Sequence, residues 1–406
     1  MKRGDILFLA HRMPYPPDRG DKIRSWNLLK YLSRFGMVHL ACFADDEADI
    51  AQLPALREAL GGRLGHAHVE LRSHARAMPS ARALVRHSPL SLALFDSRKL
   101  RAFVEQMLAG GTVDTVFGFS GQMAQFVPKR VSQRFIMDLG DVDSAKFAQY
   151  AQSGKGPMRW VYGREADLLF RFEQATAERA DVTTFVSEAE AALFRAQTGL
   201  STIRAVSNGI DLDFFDPDGD FDRLPSEVRG DGPILLFTGQ MDYAPNVDAV
   251  CWFAKEILPL IAKARFVIAG RNPTTEVSRL AGERVIVTGA VGDIRSWIAS
   301  ADLIVAPLRI ARGIQNKVLE AMAMAKPVVA TKAALEGIEA TAGQHLLVAD
   351  SPTTMAREIS MLLSSPGRAQ AIAEAARSRM VEAYSWDQRL GVLDEILFPQ
   401  RQMEAA

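Results

Sequence analysis

The chain has 406 residues, 48% apolar and 24% charged, with 48 Lys+Arg against 48 Asp+Glu. This length exceeds one ordinary core and suits two domains, and the balanced charge gives no general attraction to nucleic acid. The two cysteines, Cys42 and Cys251, lie in apolar runs, which suits a reducing cytosol and excludes a disulfide framework or a cysteine zinc site.

Along the chain, Met1 to Ala10 carries Lys2, Arg3 and Asp5 before a short apolar run. It is too short for a signal peptide or a spanning helix, and no stretch of about 18 apolar residues occurs. The expected location is the cytoplasm, with peripheral contact on the inner face of the membrane left open.

Short apolar, β-branched runs alternate with longer helical patterns. Candidate strands in the first half are Ile6–Ala10, Val38–Phe43, His68–Leu71, Val113–Phe119, Arg134–Leu139, Val182–Val186 and Ile203–Val206. In the second half they are Ile234–Thr238, Ala264–Ala269, Arg284–Thr288, Leu303–Ala306, Pro327–Ala330 and Leu346–Val348. Continuous apolar strands separated by helices predict α/β domains with parallel, doubly covered sheets. The Asp-, Gly- and Pro-rich stretch 211–231 reads as a linker. It divides an N-terminal domain, 1–210 with 387–406, from a C-terminal domain, 232–386. Ligands of such sheets sit at the C-terminal strand ends, so a cleft between two facing domains is expected to hold the chemistry.

Phosphate-binding P-loops, G-x-G-x-x-G fingerprints, H-E-x-x-H helices and G-x-S-x-G elbows are absent. The first informative segment is "AHRMPYPPDRGDKIRSWNLLKYLSRFG", from Ala10 to Gly36. Ile23, Trp26, Leu28, Leu29, Leu32 and Phe35 recur at helical spacing and read as core. Gly20 allows close approach of a ligand, and the N–H groups of the turn that follows attract anions. Arg72, Arg76, Arg82, Arg86, Arg98, Lys99 and Arg101 face Asp96 alone, interleaved with Leu84, Val85, Leu90, Leu92, Leu94 and Phe95. That pattern is either a solvated helix face or a surface that docks on anionic lipid.

"FIMDLGDVDSAKF" ends a strand in Asp138, Asp141 and Asp143. The Asp141–Asp143 pair matches the Asp-x-Asp of metal-dependent sugar transferases, but two domains favour a metal-free role. One carboxylate, Asp141 in the preferred reading, orients an acceptor hydroxyl or takes its proton; otherwise Asp143 or Ser144 simply caps a helix. In "SNGIDLDFF", Asn208 and Gly209 predict a tight turn at the cleft.

In the second half, strands end in Gly239, Gly270 and Gly289, where a phosphate or base can approach the sheet edge. Arg271, Arg309, Arg312 and Lys317 add positive charge, and Glu320 lies about one turn into a helix beginning near Gln315. A carboxylate there suits the two hydroxyls of a ribose.

This constellation, in this order, resembles the retaining glycosyltransferases of family 4, and among them those associated with the PEP-CTERM/exosortase system. The residues that carry the resemblance are "RMPYPPDRGDKIRSWNLLKYLS", "DVDSAK", "NGIDLDFF", "GIQNKVLEAMAMAKPVV" and the late "YSW" of Tyr384–Trp386. The resemblance implies the GT-B fold, two Rossmann-like domains facing a cleft with a C-terminal helix crossing back to the first. It implies hexosyl transfer from a nucleoside-diphosphate sugar, with retention and without cofactor or essential metal, in bacterial exopolysaccharide synthesis. The implied acceptor is a glycan or polyprenyl-linked sugar. Glu320 maps to the ribose-binding Glu. Gly313, Ile314, Gln315, Asn316 and Lys317 map to the loop that cradles donor sugar and diphosphate. Gly20 maps to the diphosphate or acceptor side, and Asn208 and Gly239 to the donor cleft.

In two places the chain departs from the family pattern. Arg312 stands eight residues before Glu320, where the family often has a Glu, and Gln240 stands in place of an Arg. A leaving diphosphate then needs other cations, and Arg271, Lys317 and either Arg309 or Arg312 are the candidates. Two rival readings are a nucleotide-sugar 2-epimerase and a non-catalytic GT-B scaffold protein.

Overall fold

The computed structural model describes residues 4–72, 88–153, 156–222, 224–225, 228, 230, 232–311 and 314–399. Among them, thirteen strands form two parallel sheets in two compact units. One unit ends at Ser207 and takes the chain again from Leu390; the other runs from Asn208 to Arg389.

The first sheet contains β1 (Asp5–Ala10), β2 (Val38–Ala44), β3 (Leu64–Leu71), β4 (Val113–Phe119), β5 (Arg134–Gly140), β6 (Val182–Phe185) and β7 (Ile203–Ala205). Their order is β3-β2-β1-β4-β5-β6-β7. Leu7, Phe8 and Leu9 of β1 are wholly buried, as expected for a strand covered on both faces. Helix α1 (Gly20–Leu32) follows β1. Its buried face is not purely apolar: Leu28, Leu29 and Leu32 are buried, but so are Lys22, Arg24 and Ser25, while Ile23 and Trp26 stay half-buried. The charges are tolerated because each has a partner. Lys22 donates to Asp49 at 2.7 Å, and Arg24 reaches Asp138 at 2.6 Å and the Val206 carbonyl at 2.7 Å.

After β5 come α2 (Asp143–Ser153) and α3 (Pro157–Arg179). Of the expected basic stretch, residues 73–87 lie outside the described residues. In its described part Leu92 and Phe95 are core, not surface. Arg72 pairs with Asp45, and Arg101 donates to the Gln125 carbonyl at 2.6 Å.

The second sheet contains β8 (Ile234–Thr238), β9 (Arg265–Ala269), β10 (Val285–Gly289), β11 (Leu303–Ala306), β12 (Val328–Ala330) and β13 (Leu347–Val348), in the order β10-β9-β8-β11-β12-β13. The described residues of the stretch 211–231, expected as a linker, are fastened to this unit. Phe215 and Leu224 join its core, and Arg377 donates to the carbonyls of Phe215 at 3.0 Å and Leu212 at 3.3 Å.

The expected Asn208–Gly209 turn is not formed; the two residues lie in irregular backbone that leads into a bridge at Ile210. Ile210 N donates to Tyr384 O at 2.7 Å, and a Cβ on Gly209 would lie 2.6 Å from Trp386 Cα. Gly209 is therefore needed for close packing of its own chain. The C-terminal helix α4 (Val392–Leu397) belongs to the first unit. Tyr31 Oη donates to Asp394 at 2.7 Å, and Arg134 Nε to Ile396 O at 2.8 Å.

Candidate functional site

In each sheet the strand order reverses once, at β1/β4 and at β8/β11. In open parallel sheets, ligands bind beyond the strand ends at that reversal. In the second unit the segments leaving β8 and β11 supply the candidate residues.

Gly239 leaves β8 at φ 152°. A Cβ there would stand 2.7 Å from Asn246 Nδ2 and 3.1 Å from Lys317 Nζ. Gly270, at the end of β9, is equally constrained, because its Cβ would fall 1.6 Å from the Gly239 carbonyl oxygen. Three loops are thereby brought close together at the sheet edge.

Lys317 and Glu320 lie on the helix Asn316–Ala323 that follows β11. Lys317 Nζ donates to Asn246 Oδ1 at 2.6 Å and sits 4.1 Å from the Phe237 ring centroid. Asn246 is buried and in turn donates to the Gln240 carbonyl at 2.9 Å. Burial pushes the Lys317 ammonium down to about 7, against the attraction of Glu320. Burial likewise pushes the Glu320 carboxyl up to about 7, against Lys317. Each is weakly held in its charged form, so a ligand of the right charge stabilises that form strongly. Asn316 Oδ1 beside them is a buried acceptor without a hydrogen-bond partner, as at a site that a ligand completes.

The other expected donor residues are placed differently. Ile314 packs against the core. Gln315 contributes its backbone carbonyl, which accepts from Val318 N at 2.9 Å. Arg309 pairs through both carboxylate oxygens with Asp248 and lies 5.3 Å from the Trp252 ring. It lines a pocket of about 550 Å³ with Asp242, Cys251 and Glu276. Arg271 is exposed, and its carbonyl accepts from Met241 N at 2.9 Å. Arg312 and Gly313 lie outside the described residues. Asn208 is buried beside Gly209. Asn246 and Phe237 were not foreseen. The available signal was an Asn one residue after a Pro in the first turn of the helix behind β8.

In the first unit, Gly20 is the exposed first residue of α1 and Asp141 is exposed after β5. Asp138 is fully buried and accepts from Arg24 and from Thr184 Oγ1 at 2.8 Å, so it is a core staple. The start of α2 is capped by distant carboxylates and not by Asp143 or Ser144. Val142 N donates to Glu190 at 2.8 Å and Ser144 N to Glu173 at 3.1 Å. Burial pushes Asp143 up to about 6 and, with the Asp143 charge, Glu173 up to about 8.

Comparison with known proteins places this geometry in context. Residues 232–365 match the family model described as glycosyl transferases group 1. Across 97% of its length the chain superposes on Anabaena Alr3699/HepE, crystallised with UDP and glucose, with TM-score 0.65, 16% identity and 99% of that chain covered. Sucrose-phosphate synthase from Thermosynechococcus elongatus gives TM-score 0.68 at 17% identity, covering 98% of this chain and all of that one. The fold is GT-B. A curated relative, the GDP-mannose-dependent alpha-(1-6)-phosphatidylinositol monomannoside mannosyltransferase of Mycolicibacterium smegmatis, is 26% identical over 246 residues. That match spans 56% of this chain and 64% of the relative.

Proposed function

We propose that the protein is a retaining glycosyltransferase that moves a sugar from a nucleoside-diphosphate donor to a glycan or lipid-linked acceptor. The observation that carries this reading is the convergence of Gly239, Asn246, Lys317 and Glu320 beyond β8 and β11, within the segment that matches a glycosyltransferase family model. The UDP complex of Alr3699/HepE and the GDP-mannose dependence of the mycobacterial relative both favour a nucleoside-diphosphate donor.

In this mechanism Glu320 accepts hydrogen bonds from the ribose hydroxyls. Protonated Lys317, held by Asn246, meets the diphosphate and stabilises the charge that develops as the sugar–phosphate bond breaks, worth about 3 kcal/mol for one such donor. Arg271 supplies a second cation from the neighbouring loop, and Asp141 orients the acceptor hydroxyl. The chemistry needs no essential metal, since these cations neutralise the leaving group. Work in exopolysaccharide synthesis, at the inner face of the membrane, is the part of the proposal that follows from the family resemblance. Exposed Trp160 and Met158 on α3, beside Arg159, give a membrane contact a physical basis.

The test is transfer itself. Purified protein is given UDP- and GDP-linked sugars with a bacterial lipid-linked glycan extract, and the anomeric configuration of the product is read by NMR. Transfer with retention is expected, and Glu320→Ala abolishes it while the far-UV spectrum stays unchanged. Full activity in that variant would sink the site assignment. An isomerised donor formed without acceptor would instead indicate an epimerase.

A further inference from the structure

The turn that carries Asp141 is held by two buried glutamates from elsewhere in the chain. Strand β5 ends at Gly140, which turns the backbone at φ 75°. A Cβ there would meet nothing within 4 Å, so the glycine is present for its φ, which other residues rarely adopt. Gly140 O accepts from Val186 N at 2.7 Å. Asp141 then stands exposed, and Val142 turns back into the core. The Val142 carbonyl accepts from Ala145 N at 3.1 Å and from Lys146 N at 3.2 Å, which starts α2.

Val142 thus occupies the place where a helix ordinarily has Ser, Thr, Asp or Asn, and its own side chain can accept nothing. The N–H groups there go to distant carboxylates. Glu190 Oε2 accepts from Val142 N at 2.8 Å, and Glu173 accepts from Ser144 N at 3.1 Å and from Ser144 Oγ at 2.5 Å. Glu190 lies three residues after Ser187, the N-cap of the helix Glu188–Thr198. A carboxylate at that position commonly turns back onto its own helix; this one reaches 48 residues back along the chain. Both glutamates are buried, and burying a carboxylate is costly: burial and the Asp143 charge push Glu173 up to about 8. One polar side chain at position 142 would cap α2 at far lower cost. That simpler arrangement would give up the anchoring of Val142 in the core and of its N–H to a second helix. It would thereby give up a fixed backbone on both sides of Asp141.

We propose that Glu190 and Glu173 are positioning residues for Asp141: they hold its backbone in one conformation, so that its carboxylate meets the acceptor hydroxyl already oriented. Orientation of a reacting group is worth large factors in rate, and a displacement of about 1 Å can cost about 100-fold. The hold on the turn stands on the geometry of the first unit; what Asp141 touches rests on the transferase reading.

The test is a double-mutant cycle on the full chain. It is read by transfer from a UDP- or GDP-linked sugar to the bacterial lipid-linked glycan extract, and by amide hydrogen exchange at residues 141–145 without substrate. In Glu190→Ala, kcat is expected to fall about 10- to 100-fold with nucleotide affinity unchanged, and Val142 N to exchange faster; Glu173→Ala should do the same at Ser144 N. Glu190→Gln, whose amide oxygen still accepts from Val142 N, is expected to stay within a few-fold of the wild type. Adding Glu190→Ala to Asp141→Ala is expected to cost nothing further, because both losses act through one carboxylate, whereas a role in folding alone would multiply them. Where Glu190→Ala does not fold, Glu190→Asp, too short to reach Val142 N, takes its place in the cycle. Losses that multiply in the double variant, a Glu190→Gln chain as slow as Glu190→Ala, or unchanged exchange at Val142 in Glu190→Ala would overturn the proposal. Full transfer by Asp141→Ala, or none by the wild type, would overturn the assignment to the acceptor, and hydrogen exchange then still decides whether the glutamates hold the turn.

Discussion

At the scale of single residues, Lys317 and Glu320 decide how the donor site responds to pH. Burial lowers Lys317 to about 7, so its charge is lost as pH rises through that value. Burial raises Glu320 to about 7, so its charge is lost as pH falls through the same region. Both charges are needed, one for the diphosphate and one for the ribose. The expected profile of kcat/KM for donor is a narrow bell near neutral pH, and Glu320→Gln should remove its acid limb and, by taking away the attraction that holds Lys317 up, move the alkaline limb to lower pH. A flat profile from pH 6 to 8 would show that these groups do not act on the donor. Glu320 and Lys317 stand three residues apart on one helix, so the sequence could pair them. Asn246, 71 residues from Lys317 along the chain, could be found only once the sheet order set the end of β8 beside that of β11. The same holds for Asp45, whose partners Arg12 and Arg72 stand far apart on either side of it in the sequence. Charge counts along a sequence do not say which strand ends are neighbours.

At the scale of elements, the strands were legible because buried parallel strands are continuous apolar runs, and each expected run coincides with an observed strand to within a few residues. The helices were less so. Helix α1 buries Lys22 and Arg24 against distant carboxylates, which a purely apolar pattern cannot anticipate. The start of α2 carries a similar surprise in Glu173, which accepts from Ser144 N and Oγ at 3.1 and 2.5 Å. Burial raises its carboxyl to about 8, whereas an unfolded Glu titrates near ~4.3. Its contribution to stability is present in full below the unfolded value and declines as pH rises towards 8, with a slope of up to about 1.4 kcal/mol per pH unit. Glu173→Gln keeps an acceptor for Ser144 and removes this slope. Chemical denaturation at pH 5 and pH 8 should therefore show a smaller stability difference in the variant than in the wild type; an unchanged difference would contradict this account.

At the scale of the whole molecule, the two units are built from separate stretches of chain. The second holds the segment matched to a glycosyltransferase family and the Lys317–Glu320 pair. The first takes back the C-terminal helix. The two-domain plan and its return helix were legible from alternating strands and helices together with the resemblance. The stretch 211–231 was read as a linker from its composition, yet the second unit anchors it through Phe215, Leu224 and Arg377. Composition reports the cost of burying a segment, not the partners that offset it. The central claim is that the second unit holds a nucleoside diphosphate on Lys317 and Glu320. Calorimetric titration of UDP and of GDP into the wild type and Glu320→Ala tests it most directly. The account predicts that one of the two binds the wild type and binds Glu320→Ala about 10- to 100-fold more weakly, the loss of hydrogen bonds to a charged group. Failure of both nucleotides to bind the wild type, or equal affinity in the variant, would contradict it.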